Sequence, residues 1–298
     1  MTKILLAGEI MAEKQYVMDK IPSAKEVGMV SAVNYLTSSK IINAGRILAV
    51  GNKVSIFGCI GDDTDGDSAI KDLKKYGITS SLVYRTSKDS TGQVLVLTNK
   101  EGQSGFIVHL SAVKHFDESK LESLNLFEWV YMASSMELSQ LYKMIDRAHK
   151  EGVRVFLDFP NQQKEFDKTT LRTVDFVVPN RQEVEKLLDL KIETINDALE
   201  AITRLKSYTD GNAVITLDKD GAVVFGKDWK EPQHYSTGQA KVVDETGSGD
   251  IFRGILLHKY IQSLDIEESV KTALQLATES VKYSGVNKSI ETIKEQLI

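Results

Sequence analysis

From about residue 120 onward the chain alternates short apolar runs with longer amphipathic stretches, and this alternation restricts the fold more than any other feature. The runs are Trp129-Val130-Tyr131-Met132, Val155-Phe156-Leu157, Phe176-Val177-Val178 and Ala213-Val214-Ile215-Thr216-Leu217. Short, continuously apolar runs of this kind read as strands buried on both sides, and the amphipathic stretches between them read as the helices that cover those sides. The expected class is α/β, with a mostly parallel central sheet. With 298 residues, 42% of them hydrophobic, the chain can bury one large core, or a core plus a small appended domain.

The first 115 residues read differently. Two β-rich pieces, 28–35 and 91–98, are separated by a helical segment over 66–76, for which Gly77 supplies a natural stop. The two pieces are expected to pair as a small sheet projecting from the α/β body. On that reading a discontinuous lid occupies 13–38 and 88–110, and the body comprises 1–12, 39–87 and 111–298. Helices over 267–283 and 289–297, with Gly285 between them, are expected to flank the active-site edge of the large sheet.

Charge and composition exclude several functions. A formal net charge of -5 lacks the clustered excess of Lys and Arg that a phosphate-backbone binder needs, so nucleic acid is not an expected partner. Cys59 is the single cysteine, which excludes an intrachain disulfide and a cysteine-cluster zinc site and fits a reducing cytoplasm. The N-terminal run Ile4-Leu5-Leu6-Ala7 is far shorter than the core of a signal sequence and reads as a first strand. No later apolar stretch approaches the roughly 20 residues of a membrane helix, so no membrane partner is expected. His109, His115, His149, His234 and His258 are scattered, with no pair at metal-ligand spacing, and read as surface or structural residues.

The chemistry concentrates in one segment. Lys241-Val242-Val243 reads as a strand end, and apolar residues at Ile251, Phe252, Ile255, Leu256 and Tyr260 have helical spacing. Between them lie Gly247, Ser248, Gly249 and Asp250. A glycine-rich turn opening a helix presents unpaired backbone N–H groups at the positive end of the helix dipole, which suits phosphate or a developing negative charge. A loop that only held pyrophosphate would gain nothing from a carboxylate at its heart. Asp250 therefore reads as a base for a hydroxyl that attacks phosphorus, with the neighbouring amides stabilising the transferring group. The same residues also fit a plain helix start, with Asp250 favoured by the dipole and the glycines making a tight turn. Walker A is absent, and Phe252 stands where a third glycine would complete Gly-x-Gly-x-x-Gly, so neither a P-loop nor a standard dinucleotide turn is expected.

Asp244-Glu245-Thr246-Gly247-Ser248-Gly249-Asp250 resembles the C-terminal signature of the ribokinase-like, or PfkB, carbohydrate kinases, close to Asp-Thr-x-Gly-Ala-Gly-Asp before an apolar helix. The family's first signature region resembles 43–54 followed by 57–66, its middle Asn-x-x-Glu resembles Asn180 to Glu183, and its nucleotide-side turn resembles Thr216 to Gly221. These occur in family order along most of the chain. The resemblance implies a three-layer ribokinase-like fold and transfer of the ATP γ-phosphoryl group to a hydroxyl of a sugar or nucleoside. Asp250 would be the base, with Gly247, Ser248 and Gly249 the anion hole. Asn180, Glu183, Thr216 and Gly221 would serve the nucleotide, and Glu183 would hold Mg2+ through water. Asn180 and Glu183 equally form a helix capping box. Asp244, Thr246, Gly285 and Ser289 occupy positions similar to those that bind a monovalent cation such as K+ in the family, and Asp244 alternatively caps its turn. Family members also form homodimers through the lid, which covers exposed strand edges.

The acceptor end departs from the family pattern. Ser38-Ser39 precede Lys40 and Asn43 where two glycines are usual, and serines do not adopt positive φ cheaply. Glu13 stands where an Asp usually clamps sugar hydroxyls, one methylene longer, and alternatively is an exposed lid charge. Glu13, Lys40 and Asn43 are the expected acceptor contacts. Arg253 is expected on the solvent side of its helix, with a substrate carboxylate or phosphate as the alternative. A catalytically weak sugar- or nucleoside-binding regulator is the competing function.

Overall fold

The computed structural model describes residues 1–101, 103–133, 136–159 and 165–297. Its first part holds β1 (Lys3–Ala7), β2 (Met11–Met18), β3 (Val30–Ser38), α1 (Lys40–Leu48), β4 (Lys53–Gly61), α2 (Thr64–Lys75), β5 (Ile78–Thr86), β6 (Gly92–Thr98) and β7 (Ser104–His109). Then follow β8 (Trp129–Met132), α3 (Leu138–Lys150), β9 (Arg154–Asp158), β10 (Phe176–Val178), α4 (Arg181–Leu188), α5 (Ile195–Lys206) and β11 (Asn212–Thr216). The last part is β12 (Ala222–Phe225), β13 (Gln233–Tyr235), α6 (Ser248–Ser263), α7 (Ile266–Ser280) and α8 (Val286–Leu297).

Nine strands form one sheet in the order β13-β12-β11-β10-β9-β8-β1-β4-β5. Neighbours from β11 through β5 are parallel, and β12 and β13 add antiparallel at the edge. Parallel strands need both faces covered, and the alternation along β1 shows how this is met. Ile4 and Leu6 enter one core with Ile41 of α1, Ile255 of α6, Val270 of α7 and Ile290 of α8. Leu5 and Ala7 enter the other with Met144 of α3, Val184 of α4 and Ile202 of α5. The result is the expected helix–sheet–helix sandwich of an α/β fold. None of the described helices is long and apolar enough to cross a membrane.

A second sheet, in the order β3-β2-β6-β7, is the smaller one. The two β-rich pieces seen in the sequence do not pair with each other: β2 lies between β3 and β6, antiparallel to the first and parallel to the second. The mixed polarity of β2, MAEKQYVM, hides it from a search for apolar runs. Lys14 and Gln93 reach Asp65 of α2 at 3.5 and 2.9 Å, and the Thr37 amide and hydroxyl donate to Asp72 at 3.0 and 2.9 Å. These contacts tie the small sheet to the body.

Two local features aim the site. Gly254 on α6 lies against α1, where a Cβ would come 2.9 Å from the Ala44 carbonyl and 3.0 Å from Ile47 Cβ. The two helices therefore touch almost backbone to backbone. Lys241-Val242-Val243, expected as a strand end, belongs to no strand, and Val242 and Val243 are exposed. The amides of Val243 and Asp244 instead donate to the Val281 carbonyl at 2.8 and 3.1 Å, so the chain crosses the end of α7 before turning into α6.

Candidate active site

The carboxyl ends of β9, β10 and β11 deliver Asp158, Asn180 and Thr216 to one edge of the large sheet, where ligands of open α/β sheets bind. The start of α6 faces that edge. Its N-cap, Gly247, has φ 76 and makes no side-chain capping bond; the Ser248 amide turns back to the Glu245 carbonyl at 3.1 Å, and the Gly249 and Asp250 amides lack the side-chain partner most helix starts provide. A Cβ at Gly247 would collide with Val286 at 2.5 Å, so both conformation and space require glycine there.

Asp250 lies in the first turn of α6 and accepts a hydrogen bond from Asn43 Nδ2 of α1 at 2.9 Å. Surrounding protein, and then the charge of Asp158, push its carboxyl up to about 6. Lys40 Nζ lies 3.3 Å from Glu183 and 3.8 Å from Asp158, and Asp158 beside it holds the ammonium above its ordinary pKa despite burial. Arg253, expected at the solvent side of its helix, is 4% exposed. Its Nε is 3.2 Å from Asp158 and donates to the Val178 carbonyl at 3.2 Å, while Nη2 is 3.8 Å from Glu183. Burial works against the guanidinium's charge, but Asp158 and Glu183 outweigh it and raise the pKa. Its helical neighbours Ile251, Phe252, Ile255 and Leu256 are also buried. A helix with apolar residues almost all round has little solvent face on which to put an arginine.

Glu183 serves two purposes at once. The Glu183 amide donates to Asn180 Oδ1 and the Asn180 amide to Glu183 Oε2, each at 2.8 Å, forming the capping box of α4. The other oxygen, Oε1, meets Lys40. The cap and the charged cluster thus coexist. Asp158, fully buried with an Oδ1 that accepts no hydrogen bond among the described residues, was not singled out from the sequence. An acid closing an otherwise apolar strand, Val155-Phe156-Leu157-Asp158, was the available signal. Two carboxylates of hard oxygen donors, one with an oxygen that is ion-paired at 3.2 Å from Arg253 but accepts no hydrogen bond among the described residues, fit a hydrated magnesium ion, which keeps most of its water shell.

Asn180, Thr216 and Gly221 line a cavity of about 590 Å³ with Ser248, Gly249 and Arg253. Its far wall is apolar, from Phe252, Leu274, Ala277 and Val281. The polar end with its helix N-terminus and the apolar end together match the needs of a phosphorylated, planar ligand. On the opposite side of Asp250, Ser38 Oγ donates to Asn43 Oδ1 at 3.4 Å. Glu13, paired with Leu36 across β2 and β3, is half-buried; burial raises its pKa and the Ser38 side chain opposes this. Ser39 has φ -176 and caps α1, accepting from the Ile42 amide, so the serines sit in extended backbone without strain. Asp244 joins two loops, accepting from the Thr246 amide at 2.9 Å and the Gly285 amide at 2.8 Å. Ser289 Oγ donates to the carbonyls of Ser280 and Gly285 at 2.9 and 3.3 Å.

Comparison with known proteins bears on this geometry. The family model described as "pfkB family carbohydrate kinase" matches residues 1–293. A deoxyribokinase of Salmonella typhi is 26% identical over 250 residues, covering 83% of this chain and 81% of that protein. A nucleoside kinase of Methanocaldococcus jannaschii is 24% identical, covering 98% of this chain and 94% of the relative. Among solved structures, Arabidopsis thaliana ribokinase complexed with ribose and ATP superposes with a TM-score of 0.85 at 20% identity, covering 99% of each chain. The chain belongs to the pfkB family of carbohydrate kinases and is a phosphotransferase acting on an alcohol group.

Proposed function

We propose that the protein transfers the γ-phosphoryl group of ATP to a hydroxyl of a sugar, free or as part of a nucleoside, with Asp250 as the base. The 2.9 Å bond from Asn43 to Asp250 carries the reading, because it aims the base at the gap between the nucleotide cavity and the small sheet. Asp250 takes the acceptor proton as the acceptor oxygen bonds to phosphorus. The bond from that phosphorus to the bridging oxygen breaks and ADP leaves. A pKa near 6 leaves Asp250 ionised at neutral pH, yet a stronger base than an ordinary aspartate. The amides at Gly247 and Gly249 face the transferring group, and that of Ser248, bonded to the Glu245 carbonyl at 3.1 Å, holds the turn between them.

Asn180, Thr216 and Gly221 line the nucleotide side. Glu183, with Asp158, would hold magnesium through water, and the ion would neutralise phosphate charge. Lys40 orients these carboxylates from α1. Glu13, Asn43 and Ser38 meet the acceptor. Asp244, Thr246, Gly285 and Ser289 form the cradle for a monovalent cation, since each Asp244 oxygen retains a lone pair after accepting one N–H. The small sheet acts as the lid, and a second copy covers its exposed apolar residues.

The relatives named deoxyribokinase and nucleoside kinase share a pentose in their substrates, which supports an acceptor of that size. ADP release measured across pentoses, hexoses, sugar acids and nucleosides tests the proposal. Saturable turnover with at least one compound is expected. Binding of compounds without turnover of any would instead identify a regulatory binder.

A further inference from the structure

We propose that Arg253 is a catalytic residue of this reaction, a fixed guanidinium that donates to the non-bridging oxygens of the terminal phosphoryl group. The proposal rests on the kinase reading above. A guanidinium carries five N–H donors. Among the described residues, only Nε of Arg253 makes a hydrogen bond, to the Val178 carbonyl at 3.2 Å. Nη2 is buried and has no hydrogen-bond partner among the described residues, with Glu183 Oε2 3.8 Å away. A buried charged donor without an acceptor costs roughly 1–3 kcal/mol or more. A residue serving only to clip Asp158 to Glu183 would be placed to satisfy those donors.

The unsatisfied end has somewhere to point. Arg253 lines the same cavity as Asn180, Ser248 and Gly249. A Cβ added to Gly249 would sit 3.0 Å from Nη1, so the guanidinium lies directly under the first turn of α6. The Gly249 amide, which no side chain caps, and the unused guanidinium N–H groups therefore face one volume from two sides. An oxyanion with several oxygens satisfies both, and a single carbonyl would not. Asp250 lies three residues earlier, on the same side of the helix. The anion so held is the group attacked by the acceptor hydroxyl whose proton Asp250 takes.

Asp158 and Glu183 fix the guanidinium before the substrate arrives, so it need not reorganise during transfer. Through the step the acceptor O–P bond forms, the P–O bond to ADP breaks and the acceptor proton passes to Asp250. Arg253 keeps all its protons and only exchanges acceptors. Its planar fork suits two phosphoryl oxygens in a way a lysine ammonium does not.

Nucleotide affinity and turnover of Arg253→Met and Arg253→Lys, measured beside the parent, test this. For Arg253→Met, kcat should fall by about 10³-fold, the lower end for a transition-state arginine. Affinity for a non-hydrolysable ATP analogue should fall about tenfold or more, with ADP affinity changed less than about threefold. Arg253→Lys should recover part of kcat. Equal losses for analogue and ADP, or kcat within about tenfold of the parent, overturn the assignment. Should Arg253→Met not fold, Arg253→Lys decides alone: a lysine enzyme with parental kcat and an unchanged analogue-to-ADP ratio also overturns it. If the parent itself binds neither nucleotide, the kinase reading has failed and not the arginine's part in it.

Discussion

The two ends of the cleft are built from different material. The phosphate end hangs on β9, β10, β11 and α6, whose Val155, Phe156, Val177, Ile215 and Ile255 are fully buried. The acceptor end hangs on β2 and β3, in a sheet whose buried apolar residues among those described are Met11, Met18, Leu36 and Val96. Val33, Tyr35, Phe106, Ile107 and Val108 of the same sheet are exposed. Close-packed elements hold a charge constellation to tenths of an ångström, whereas an element with few buried contacts opens at low cost. On the proposed function, the chemistry would thus sit on the close-packed part and the choice of acceptor on the part with fewer buried contacts.

Substitutions at the two ends sharpen or break that contrast. Asp250→Asn should lower kcat by about 10³-fold or more while leaving nucleotide affinity within about threefold, read by steady-state turnover and calorimetry. The parent's kcat/KM should fall about tenfold per pH unit below its pKa near 6, and this acid limb should disappear from the residual activity of the variant. Because the folded pKa of Asp250 is raised, ionising it opposes folding as pH rises through 6, so Asp250→Asn should melt higher than the parent at pH 8. A variant that melts lower there would mean that the charged form is the stabilised one.

Packing supplies the next largest difference. Phe156 stacks on Tyr131 and Phe176 at 4.9 and 5.4 Å between centroids, and Phe156→Ala should cost about 3–5 kcal/mol in denaturant unfolding. Phe106→Ala, on the outer strand of the small sheet, should change monomer stability by less than about 0.5 kcal/mol. A large loss at Phe106 that depends on protein concentration would show a second copy covering that sheet.

Acid should act on the body through His258, which is 1% exposed and whose pKa burial, and then Lys259, depress to about 4. The unfolded chain takes up that proton first as pH falls below 6.5, so stability present above 6.5 is lost down to about 4, by about 3 kcal/mol. His258→Gln should flatten that slope; an unchanged slope would locate the acid sensitivity elsewhere. The last substitution tests the proposed acceptor end. Glu13→Gln should raise the acceptor KM by about tenfold and leave the nucleotide KM unchanged. A shift in the nucleotide KM instead would place Glu13 at the wrong end of the cleft.

The sequence was legible where one physical pressure dominates. Strands buried on both faces announce themselves as apolar runs, so the central strands of the large sheet and their mostly parallel class were readable from Trp129 to Leu217. The turn into α6 was legible as a helix start, from the glycines before Asp250 and the helical spacing of Ile251, Phe252, Ile255 and Leu256, whereas the chemical role of Asp250 stayed open between a base and a plain helix start until the family resemblance implied the base. Arg253 was misplaced because a charged residue's direction depends on what surrounds its helix, and α6 is enclosed by α1 and α7. Asp158 was passed over because a lone acid after an apolar strand has no local pattern until Lys40 and Arg253 arrive from distant segments. β2 was not recognised as a separate strand because its side chains are mostly half-buried, leaving no alternation to read.

The contact at Gly254 has a consequence for mutational surveys of activity. The absent methyl on α6 sets the gap to α1, and that gap sets the reach from Asn43 to Asp250. A side chain there would act as a wedge, lengthening a bond three to four residues away without touching either substrate. Ranked by loss of turnover, Gly254 would stand beside the chemical groups, although what it contributes is a distance.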